Sequence, residues 1–366
     1  MKTIPELRQE IDRQVDLLVR AGRQRIQLME VCGTHTVALA RGGLLDLMPK
    51  PLRLVSGPGC PVCVTDQSYM DQAVWLAQNR PDVTIATYGD MLRVPGRSGS
   101  LEEARAAGAQ VQVVYAAHEA VEMARQNTKR QVVFLAVGFE TTTPATALAI
   151  EQARRLNVTN FSVFTAHKLV LPAMRALLSQ PDIQIDGFLC PGHVSVILGY
   201  KAYEDLARDF HRPCVVAGFD EEQILAGVAE ICRQLATGQP QACSVYSPVS
   251  AQGNTVAQKI LADVFHPADA PWRALGVIPG SGLELNEAYA DFDTRRRIEM
   301  PPCESYELPG CRCGEVICGR CLPTDCPLFA KACTPRSPVG PCMVSSEGSC
   351  AAYYKYRWRG GKAAKL

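Results

Sequence analysis

The sequence predicts an α/β protein with two parallel-sheet domains that face a cleft, followed by a cysteine-rich domain. From about residue 25 to residue 280, short apolar runs alternate with amphipathic stretches. This rhythm is typical of parallel strands joined by crossover helices. After residue 280 the rhythm fades, and nine of the sixteen cysteines lie at or beyond Cys303. The C-terminal part is therefore predicted to be a different kind of module.

The first predicted element is a helix within residues 1–24. Thr3 can cap it, Pro5 suits its first turn, and the apolar residues that follow recur at helical spacing. We expect this helix to pack on the C-terminal domain. Nine candidate strands follow it: IQLMEV, LRLVS, VTIATY, VQVVYA, QVVFLAV, FSVFTA, GFLC, CVVAGF and ALGVI.

The strands are predicted to form two units joined by a polar helical run, HEAVEMARQNTKRQ. This places α/β domain I at residues 25–127, α/β domain II at 128–279, and the cysteine-rich domain at 280–366. A single eight-stranded barrel is the alternative that the strand pattern leaves open.

Charge and hydropathy exclude several classes of partner. Lysine and arginine total 38 against 37 acidic residues, so no net field would hold nucleic acid or an anionic membrane. The N-terminal stretch MKTIPELRQE lacks the apolar core of a secretory signal, and no run approaches the roughly 18 apolar residues of a membrane span. We therefore expect a cytoplasmic protein, in which sixteen cysteines indicate metal or redox chemistry rather than a disulfide framework.

A distinctive polar turn follows each predicted strand up to CVVAGF. In order they are CGTHT, GPGCPVC, YGD, AHE, GFETTTP, AHK, CPGH and GFD. Because ligands bind at the carboxyl edge of parallel sheets, these turns are predicted to gather the candidate site residues Cys32, Cys60, Cys63, His35, Glu140 and His193.

Two of these turns carry cysteines in settings that favour reactivity. Cys32 follows a strand and begins a helix, where backbone amides are expected to lower the pKa of the thiol. Cys60 and Cys63 flank a stiff Pro-Val turn that suits a reversible disulfide or a shared metal. Buried inert thiols remain the alternative for both turns, and structural zinc remains a further alternative for the pair.

The C-terminal segment CPLFAKACTPRSPVGPCMVSSEGSC spaces four cysteines among prolines and glycines. Such irregular loops can wrap a four-iron cluster, in which each iron needs one thiolate, but zinc also accepts four thiolates. Our candidate ligands are Cys326, Cys333, Cys342 and Cys350. Competing ligands are supplied by CRCGEVICGRC, namely Cys311, Cys313, Cys318 and Cys321.

Five of these motifs together resemble the HypD family of hydrogenase maturation factors: CGTHT, GPGCPVCVT, GFETTTP, CPGH and PVGPCMVSSEGSCAAYYKY. The resemblance runs from about Met29 to Tyr356. It implies two α/β domains and a third domain with a [4Fe-4S] cluster. It also implies an assembly scaffold with redox activity, rather than a conventional turnover enzyme, for the iron with two cyanides and one carbon monoxide of [NiFe] hydrogenase.

The resemblance also implies roles for individual residues. Cys32 would hold the iron together with a cysteine of a HypC-like partner, while a HypE-like partner donates cyanide and Cys60 and Cys63 form a redox pair. Cys326, Cys333, Cys342 and Cys350 would hold the cluster, with Cys313 in reserve. His35, Glu140 and His193 would move protons or orient diatomic ligands.

The sequence departs from the family pattern at one place, and other functions compete with the one implied. Cys318 and Cys321 look like additions to the family pattern. The main competing hypothesis is a cluster-dependent protein thiol/disulfide oxidoreductase, and a second is a zinc-stabilised binding module without a redox role.

Overall fold

The computed structural model describes residues 2–359 and 362–363 and shows two open parallel sheets with helices around them. The first sheet has the strand order β2-β1-β7-β8-β9, and the second has the order β4-β3-β5-β6. The strands are β1 (Ile26–Glu30), β2 (Leu52–Ser56), β3 (Val83–Thr87), β4 (Val111–Val113), β5 (Gln131–Gly138), β6 (Phe161–His167), β7 (Gly187–Pro191), β8 (Cys214–Ala217), β9 (Ala242–Ser244), β10 (Phe265–Trp272), β11 (Gly276–Leu285), β12 (Trp358–Arg359) and β13 (Lys362–Ala363). The predicted α/β class with parallel sheets is confirmed, and the barrel alternative is wrong.

The helices connect the strands and cover the sheets. They are α1 (Ile4–Arg20), α2 (Gly33–Arg41), α3 (Pro61–Val64), α4 (Gln67–Asn79), α5 (Leu101–Ala106), α6 (Ala117–Gln126), α7 (Thr143–Arg155), α8 (Val170–Leu178), α9 (Gly192–Leu198), α10 (Glu204–Phe210), α11 (Glu221–Thr237), α12 (Thr255–Val264), α13 (Thr294–Arg297), α14 (Cys313–Ile317), α15 (Pro341–Val344) and α16 (Ser349–Tyr356). Short 3-10 helices occupy Leu44–Leu47, Gly89–Arg93, Tyr200–Tyr203, Glu287–Phe292 and Pro323–Asp325. None of the helices in the described part of the chain has the length and apolar character needed to cross a bilayer.

Eight of the nine candidate strands form strands of the two parallel sheets. Every residue of β1, β3 and β7 is buried, as expected for parallel strands covered by helices. The ninth candidate, ALGVI, overlaps the start of β11, which pairs antiparallel with β10. Strands β9 and β10 were not predicted, because β9 has only three residues and β10 contains two prolines.

The first sheet is discontinuous in sequence, whereas the second is formed by the consecutive strands β3 to β6. Strands β1 and β2 of the first sheet come first in the sequence, and the whole second sheet follows as β3 to β6. The chain then returns to the first sheet at β7. The predicted boundary near Asn127 falls between β4 and β5, inside the second sheet. A division into residues 25–127 and 128–279 therefore does not follow the sheets.

Helix α1 packs against α11, which lies on the first sheet. Its buried residues Leu7, Ile11, Val15 and Leu18 share one core cluster with residues of β1 and α11. The expectation that α1 packs on the C-terminal domain is wrong, because α11 supplies the apolar surface that the α1 stripe needs. At the start of α1, the Thr3 N–H donates a hydrogen bond of 2.7 Å to the Glu6 carboxylate, which satisfies an otherwise free backbone donor.

The β10–β11 hairpin fastens the first sheet's α3 loop to the second sheet. Thr65 forms an antiparallel bridge with Trp272 of β10, and Lys168, just after β6, forms one with Gly282 of β11. The hairpin also crosses the predicted boundary at residue 280. C-terminal to the hairpin, the described cysteine-rich segment consists mainly of short helices and turns, with strands β12 and β13 of two residues each.

A candidate thiol site at the sheet edge

The order of the first sheet brings four sequence motifs side by side at its carboxyl edge. Strands β2, β1, β7 and β8 are consecutive neighbours, and all pair in parallel. The turns that follow them contain Cys60 and Cys63, then Cys32, then His193, and finally Phe219. Parallel pairing thus gathers motifs that lie up to about 190 residues apart in the chain.

The Cys32 turn and the Cys60 turn are in direct backbone contact. The Gly33 N–H donates a hydrogen bond of 3.1 Å to the Gly59 carbonyl. A Cβ atom placed on Gly59 would lie 2.2 Å from the Cys32 backbone nitrogen, so only glycine allows this approach. Cys32 and Cys60 therefore lie on touching loops, although 28 positions separate them in the sequence.

Cys60 and Cys63 are joined in a disulfide whose Cα atoms lie 5.2 Å apart. Cys60 precedes α3, Pro61 is the first residue of this helix, and the Cys63 N–H donates to the Cys60 sulfur at 3.2 Å. Helix α3 in turn contacts β5 of the second sheet. The disulfide thus lies between the edges of the two sheets.

Glu30, the last residue of β1, anchors the Cys32 turn from below. Its Oε2 accepts a hydrogen bond of 3.0 Å from the Cys32 N–H, and its Oε1 accepts one from the Thr36 hydroxyl. Burial raises the pKa of Glu30 to about 8. Burial also raises the pKa of Cys32 to about 12, so the predicted lowering of this pKa is wrong: desolvation outweighs the amides of Thr34 and His35.

His35 and His193 meet at the ring of Phe219. The ring centroids of His35 and Phe219 lie 5.0 Å apart, and those of His193 and Phe219 lie 4.1 Å apart. His35 Nε2 is 2.8 Å from the Gly218 carbonyl, and burial lowers the pKa of His35 to about 4. His193 is exposed. The sheet thus brings together two of the three predicted proton-handling residues.

Glu140 lies at the edge of the second sheet, after β5. Its Oε1 accepts a hydrogen bond of 2.9 Å from the Val170 N–H, and its buried Oε2 has no partner in the described part of the chain. Burial raises the pKa of Glu140 to about 7. Its hydrogen bond ties it to α8 of its own sheet rather than to the Cys32 turn.

A second group of thiols lies in the C-terminal segment. The thiols of Cys313, Cys342 and Cys350 lie near enough to interact, and the Cys313 and Cys350 thiols lower the pKa of Cys342 to about 5. The Cys313 N–H donates a hydrogen bond of 3.4 Å to the Cys311 sulfur. Cys333 lies near Cys311 and Cys313, and its sulfur accepts a hydrogen bond of 3.3 Å from the Val339 N–H.

Cys326 lies apart from this thiol group. Its sulfur contacts the Gly310 carbonyl at 3.9 Å, and it lies near enough to Cys321 to interact with it electrostatically. The structure thus groups Cys333, Cys342 and Cys350 of the predicted ligands with Cys313, the reserve ligand.

The donor chemistry of the C-terminal thiols fits a [4Fe-4S] cluster. The thiols are soft ligands, and Cys342 and Cys350 are buried. Within residues 2–359 and 362–363, no three His, Cys, Asp or Glu side chains converge on one point as a single-ion site needs. A four-iron cluster spreads its thiolates over four separate irons, so it does not need such a point.

Three residues that sequence reasoning missed, Arg273, Glu347 and Ser345, contact turns at the edges of the two sheets. The buried Arg273 guanidinium donates to the carbonyls of Cys63 at 3.0 Å and Thr65 at 2.8 Å. The Thr34 hydroxyl donates to Glu347 at 2.8 Å, and the Ser345 hydroxyl donates to Asp90 at 2.9 Å. The only sequence signals were an arginine within the apolar PWRALG and a glutamate within SSEGS.

The fold and these contacts define a two-sheet α/β protein in which thiol turns at one sheet edge meet a cysteine-rich C-terminal segment. Residues 2–357 match the model of the HypD family, described as a hydrogenase formation family. The chain is 44% identical over 340 residues to the hydrogenase maturation factor HypD of Escherichia coli, covering 92% of this chain and 91% of that protein.

Other relatives show the same extent of similarity. HypD of Azotobacter vinelandii is 44% identical over 342 residues, covering 91% of this chain and 90% of that protein. A putative hydrogenase expression/formation protein of Methanocaldococcus jannaschii is 41% identical over 334 residues, covering 91% and 92%. The chain belongs to the HypD family, and this membership gives it a general role in hydrogenase maturation.

Proposed function

We propose that the chain is the scaffold on which the iron of a [NiFe] hydrogenase receives two cyanides and one carbon monoxide. Cys32 holds this iron together with a cysteine of a HypC-like partner, and a HypE-like partner donates the cyanide. The iron is the cargo of the assembly. The observation that carries the proposal is the 3.1 Å hydrogen bond from Gly33 to Gly59, which holds the Cys32 turn against the Cys60–Cys63 turn.

Soft thiolates suit this cargo, because cyanide and carbon monoxide bind to electron-rich iron. Cys32 and the disulfide are both buried, which keeps water away from the bound iron. On reduction, the disulfide of Cys60 and Cys63 takes up two electrons and two protons and becomes a dithiol, and reoxidation returns both. A dithiol beside the iron can therefore supply an electron pair during ligand installation.

The proposed source of these electrons is a [4Fe-4S] cluster in the C-terminal segment, which would supply them one at a time. Its proposed ligands are Cys326, Cys333, Cys342 and Cys350. Cys313 is the alternative to Cys326, because its thiol contacts those of Cys342 and Cys350. Arg273 supports this arrangement, because its guanidinium binds the Cys63 carbonyl and its positive charge also acts on Cys311 and Cys342.

His35, His193 and Glu140 have different proposed roles. His35 is held neutral against the Gly218 carbonyl, so it orients ligands on the iron rather than delivering protons. His193 is exposed to solvent, and its proposed role is to transfer protons or to orient the diatomic ligands. Glu140, whose pKa burial raises to about 7, can gain or lose a proton near neutral pH within the second sheet.

Infrared spectroscopy of the protein copurified with its small partner tests the proposal. We expect cyanide and carbon monoxide stretching bands that disappear in Cys32→Ala. The matched control is Cys232→Ala, which removes another buried thiol, on α11, and should keep the bands. Full bands in Cys32→Ala would remove Cys32 from the iron site.

Two further variants test the electron path. Cys60→Ser should abolish maturation while the iron and sulfide content of the C-terminal cluster stays unchanged. Cys326→Ser should lose the cluster, whereas Cys313→Ser should keep it. The reverse result for these last two variants would assign Cys313 as the fourth ligand.

The disulfide of Cys60 and Cys63 also favours a second candidate function, a cluster-dependent protein thiol/disulfide oxidoreductase. This function would need neither a partner nor iron at Cys32. Reduction of a protein disulfide by the purified chain alone, at a rate unchanged in Cys32→Ala and abolished in Cys60→Ser, would favour it over the scaffold.

A further inference from the structure

A cavity of about 250 Å³ lies between the β10–β11 hairpin and the carboxyl edge of the second sheet. The end of β6, the start of α4, both hairpin strands and α13 supply its lining. The sequence AHK, residues 166–168, forms part of this lining where β6 ends. The described lining residues include no cysteine, and the function proposed above assigns no role to the cavity.

Lys168 brings a buried amine to this cavity. The residue is 4% exposed, and within residues 2–359 and 362–363 no group forms a hydrogen bond or an ion pair with its Nζ atom. The Trp272 ring centroid lies 5.8 Å from Nζ, at the outer limit of a cation–π contact. Burial lowers the pKa of Lys168 to about 8, so most of the amine is still charged at pH 7. The ammonium group therefore lacks a direct counter-charge.

Asp66 is the acid whose negative charge acts on Lys168, but its carboxylate is engaged by other donors. Its Oδ1 accepts hydrogen bonds from the N–H of Ser68, at 2.9 Å, and from the Ser68 hydroxyl. Its Oδ2 accepts one from the Ser305 hydroxyl. A buried charge is costly unless it is paired, so an anion bound in the cavity would stabilise the Lys168 ammonium.

Arg295 adds a second positive charge at the open side of the cavity. Its guanidinium donates two hydrogen bonds of 3.2 Å to the Thr165 carbonyl and lies 4.5 Å from the centroid of the Phe164 ring. Arg295 is exposed, and its charge acts on Lys168. His167 adds no charge, because burial lowers its pKa to about 4. Two cations thus face the same cavity.

The rest of the lining determines what kind of anion fits. Ala270, Pro271 and Leu283 contribute apolar atoms, which suit a short aliphatic group. Asp269 and Glu284 are exposed carboxylates on the hairpin, and they would repel a multiply charged anion such as phosphate. The lining therefore favours a single carboxylate attached to a short aliphatic chain.

We propose that this cavity is a binding site for a short-chain monocarboxylate. The carboxylate of the ligand pairs with the Lys168 ammonium and the Arg295 guanidinium, and its aliphatic part packs against Pro271 and Leu283. The ion pair gives the buried amine the counter-charge that Asp66 does not supply. Binding is non-covalent and requires neither a metal nor a thiol.

Saturation-transfer difference NMR of the full-length protein tests the proposal, with propionate as the probe. We expect signal transfer to the propionate protons in the wild type. Lys168→Met keeps most of the length of the side chain but removes its charge. The dissociation constant should therefore rise at least about tenfold, as expected for the loss of a charge-assisted hydrogen bond. The control Lys201→Met removes an exposed lysine of the 3-10 helix Tyr200–Tyr203 and should bind propionate as the wild type does.

Two further comparisons test the class of ligand and the part of Arg295. Arg295→Gln should weaken propionate binding by only about threefold, because this guanidinium is exposed to solvent. Inorganic phosphate should displace propionate poorly, since Asp269 and Glu284 repel its additional charge. Phosphate that competes as well as unlabelled propionate would overturn the assignment of a monocarboxylate.

Chemical protection of Lys168 gives a second measurement that needs no variant. Acetic anhydride acetylates free amines, and trypsin does not cleave after an acetylated lysine, so peptides 156–168 and 169–175 would remain joined. Propionate should slow the appearance of the joined peptide 156–175. The proposal is overturned by a wild type without signal transfer, by unchanged binding in a Lys168→Met variant with native circular dichroism, or by acetylation of Lys168 at the same rate with and without propionate. These readouts are independent of hydrogenase maturation.

Discussion

The two thiol regions are held in place in different ways. At the sheet edge, Cys32 and Cys60 follow strands β1 and β2, which pair in register through Glu30 and Ser56. In the C-terminal segment, the cysteines lie on turns and on helices of only four to eight residues, and they contact one another. The first region is therefore organised by the backbone, whereas the second depends on what its thiols bind.

Removal of metal should affect the C-terminal segment most and is the largest effect that we expect. Metal–thiolate bonds can contribute on the order of 10 kcal/mol to the folding of a small module. After anaerobic chelation, limited proteolysis should cut first near Lys331 and Arg336, while the two sheets stay resistant. Equal resistance of this segment with and without metal would contradict the comparison, because the segment would then be organised by its own packing.

Gly59→Ala should disrupt the sheet-edge region, which metal removal leaves intact. The added Cβ would lie 2.2 Å from the Cys32 nitrogen and 2.4 Å from the Val31 carbonyl carbon. Both are backbone atoms of a buried strand end, so the free energy of unfolding should fall by about 3 kcal/mol. Urea denaturation measures this change.

Gly89→Ala is the matched control, because its Cβ would meet its nearest neighbour, a Val113 methyl, at 3.8 Å. Its free energy of unfolding should change by no more than about 1 kcal/mol. An equally small change in Gly59→Ala would mean that the two thiol turns can separate freely.

The difference between the regions also explains how far the sequence could predict the molecule. The strands up to β8 and the gathering of Cys32, Cys60 and His193 followed from buried apolar runs and parallel pairing. The order of the strands within each sheet could not be predicted in this way. An apolar run does not show which strand it will pair with, so it does not show that the chain returns to the first sheet at β7. Long-range pairing is decided by packing between whole elements rather than by local pattern.

The C-terminal region was less predictable for a physical reason. Its cysteine content indicated thiol ligands, but cysteine spacing in irregular loops does not record which sulfurs meet. Cys313 joins Cys342 and Cys350 because α14 folds back towards α16, whereas Cys326 faces Gly310. The pKa of Cys32 was also mispredicted, because a helix start is visible in sequence but complete burial is not.

Arg273→Met should loosen the link between the disulfide turn and the hairpin. Its guanidinium satisfies the carbonyls of Cys63 and Thr65, and the side chain is buried. Leaving buried acceptors without donors costs about 1–3 kcal/mol. We expect urea denaturation to show a loss within that range and the Cys60–Cys63 disulfide to be reduced more readily by a thiol buffer.

The control for Arg273 is Arg208→Met, since Arg208 is 69% exposed and lies on α10. Its free energy of unfolding should change by less than about 0.5 kcal/mol. If both arginine variants changed stability and disulfide reduction equally, Arg273 would have no special part in holding the thiol turn.

Glu347 offers the most sensitive test of whether the two regions act together. Its carboxylate accepts a 2.8 Å hydrogen bond from Thr34, two residues after Cys32, and in the sequence it lies five residues after the candidate ligand Cys342 and three before Cys350. Glu347→Ala should lower the free energy of unfolding by about 1 kcal/mol, the usual contribution of one such bond. Glu304 is an exposed residue of an irregular segment, so Glu304→Ala should change the free energy of unfolding by no more than about 0.5 kcal/mol.

A double-mutant cycle with Thr34→Val separates coupling from general destabilisation. If the bond joins the regions, the double variant should be about 1 kcal/mol more stable than the sum of the single effects predicts, because the same bond is lost only once. Additive effects would show that the sheet edge and the C-terminal segment are energetically independent. Coupling that disappears after metal removal would show that Glu347 reaches Thr34 only when the thiols of its own segment are bound.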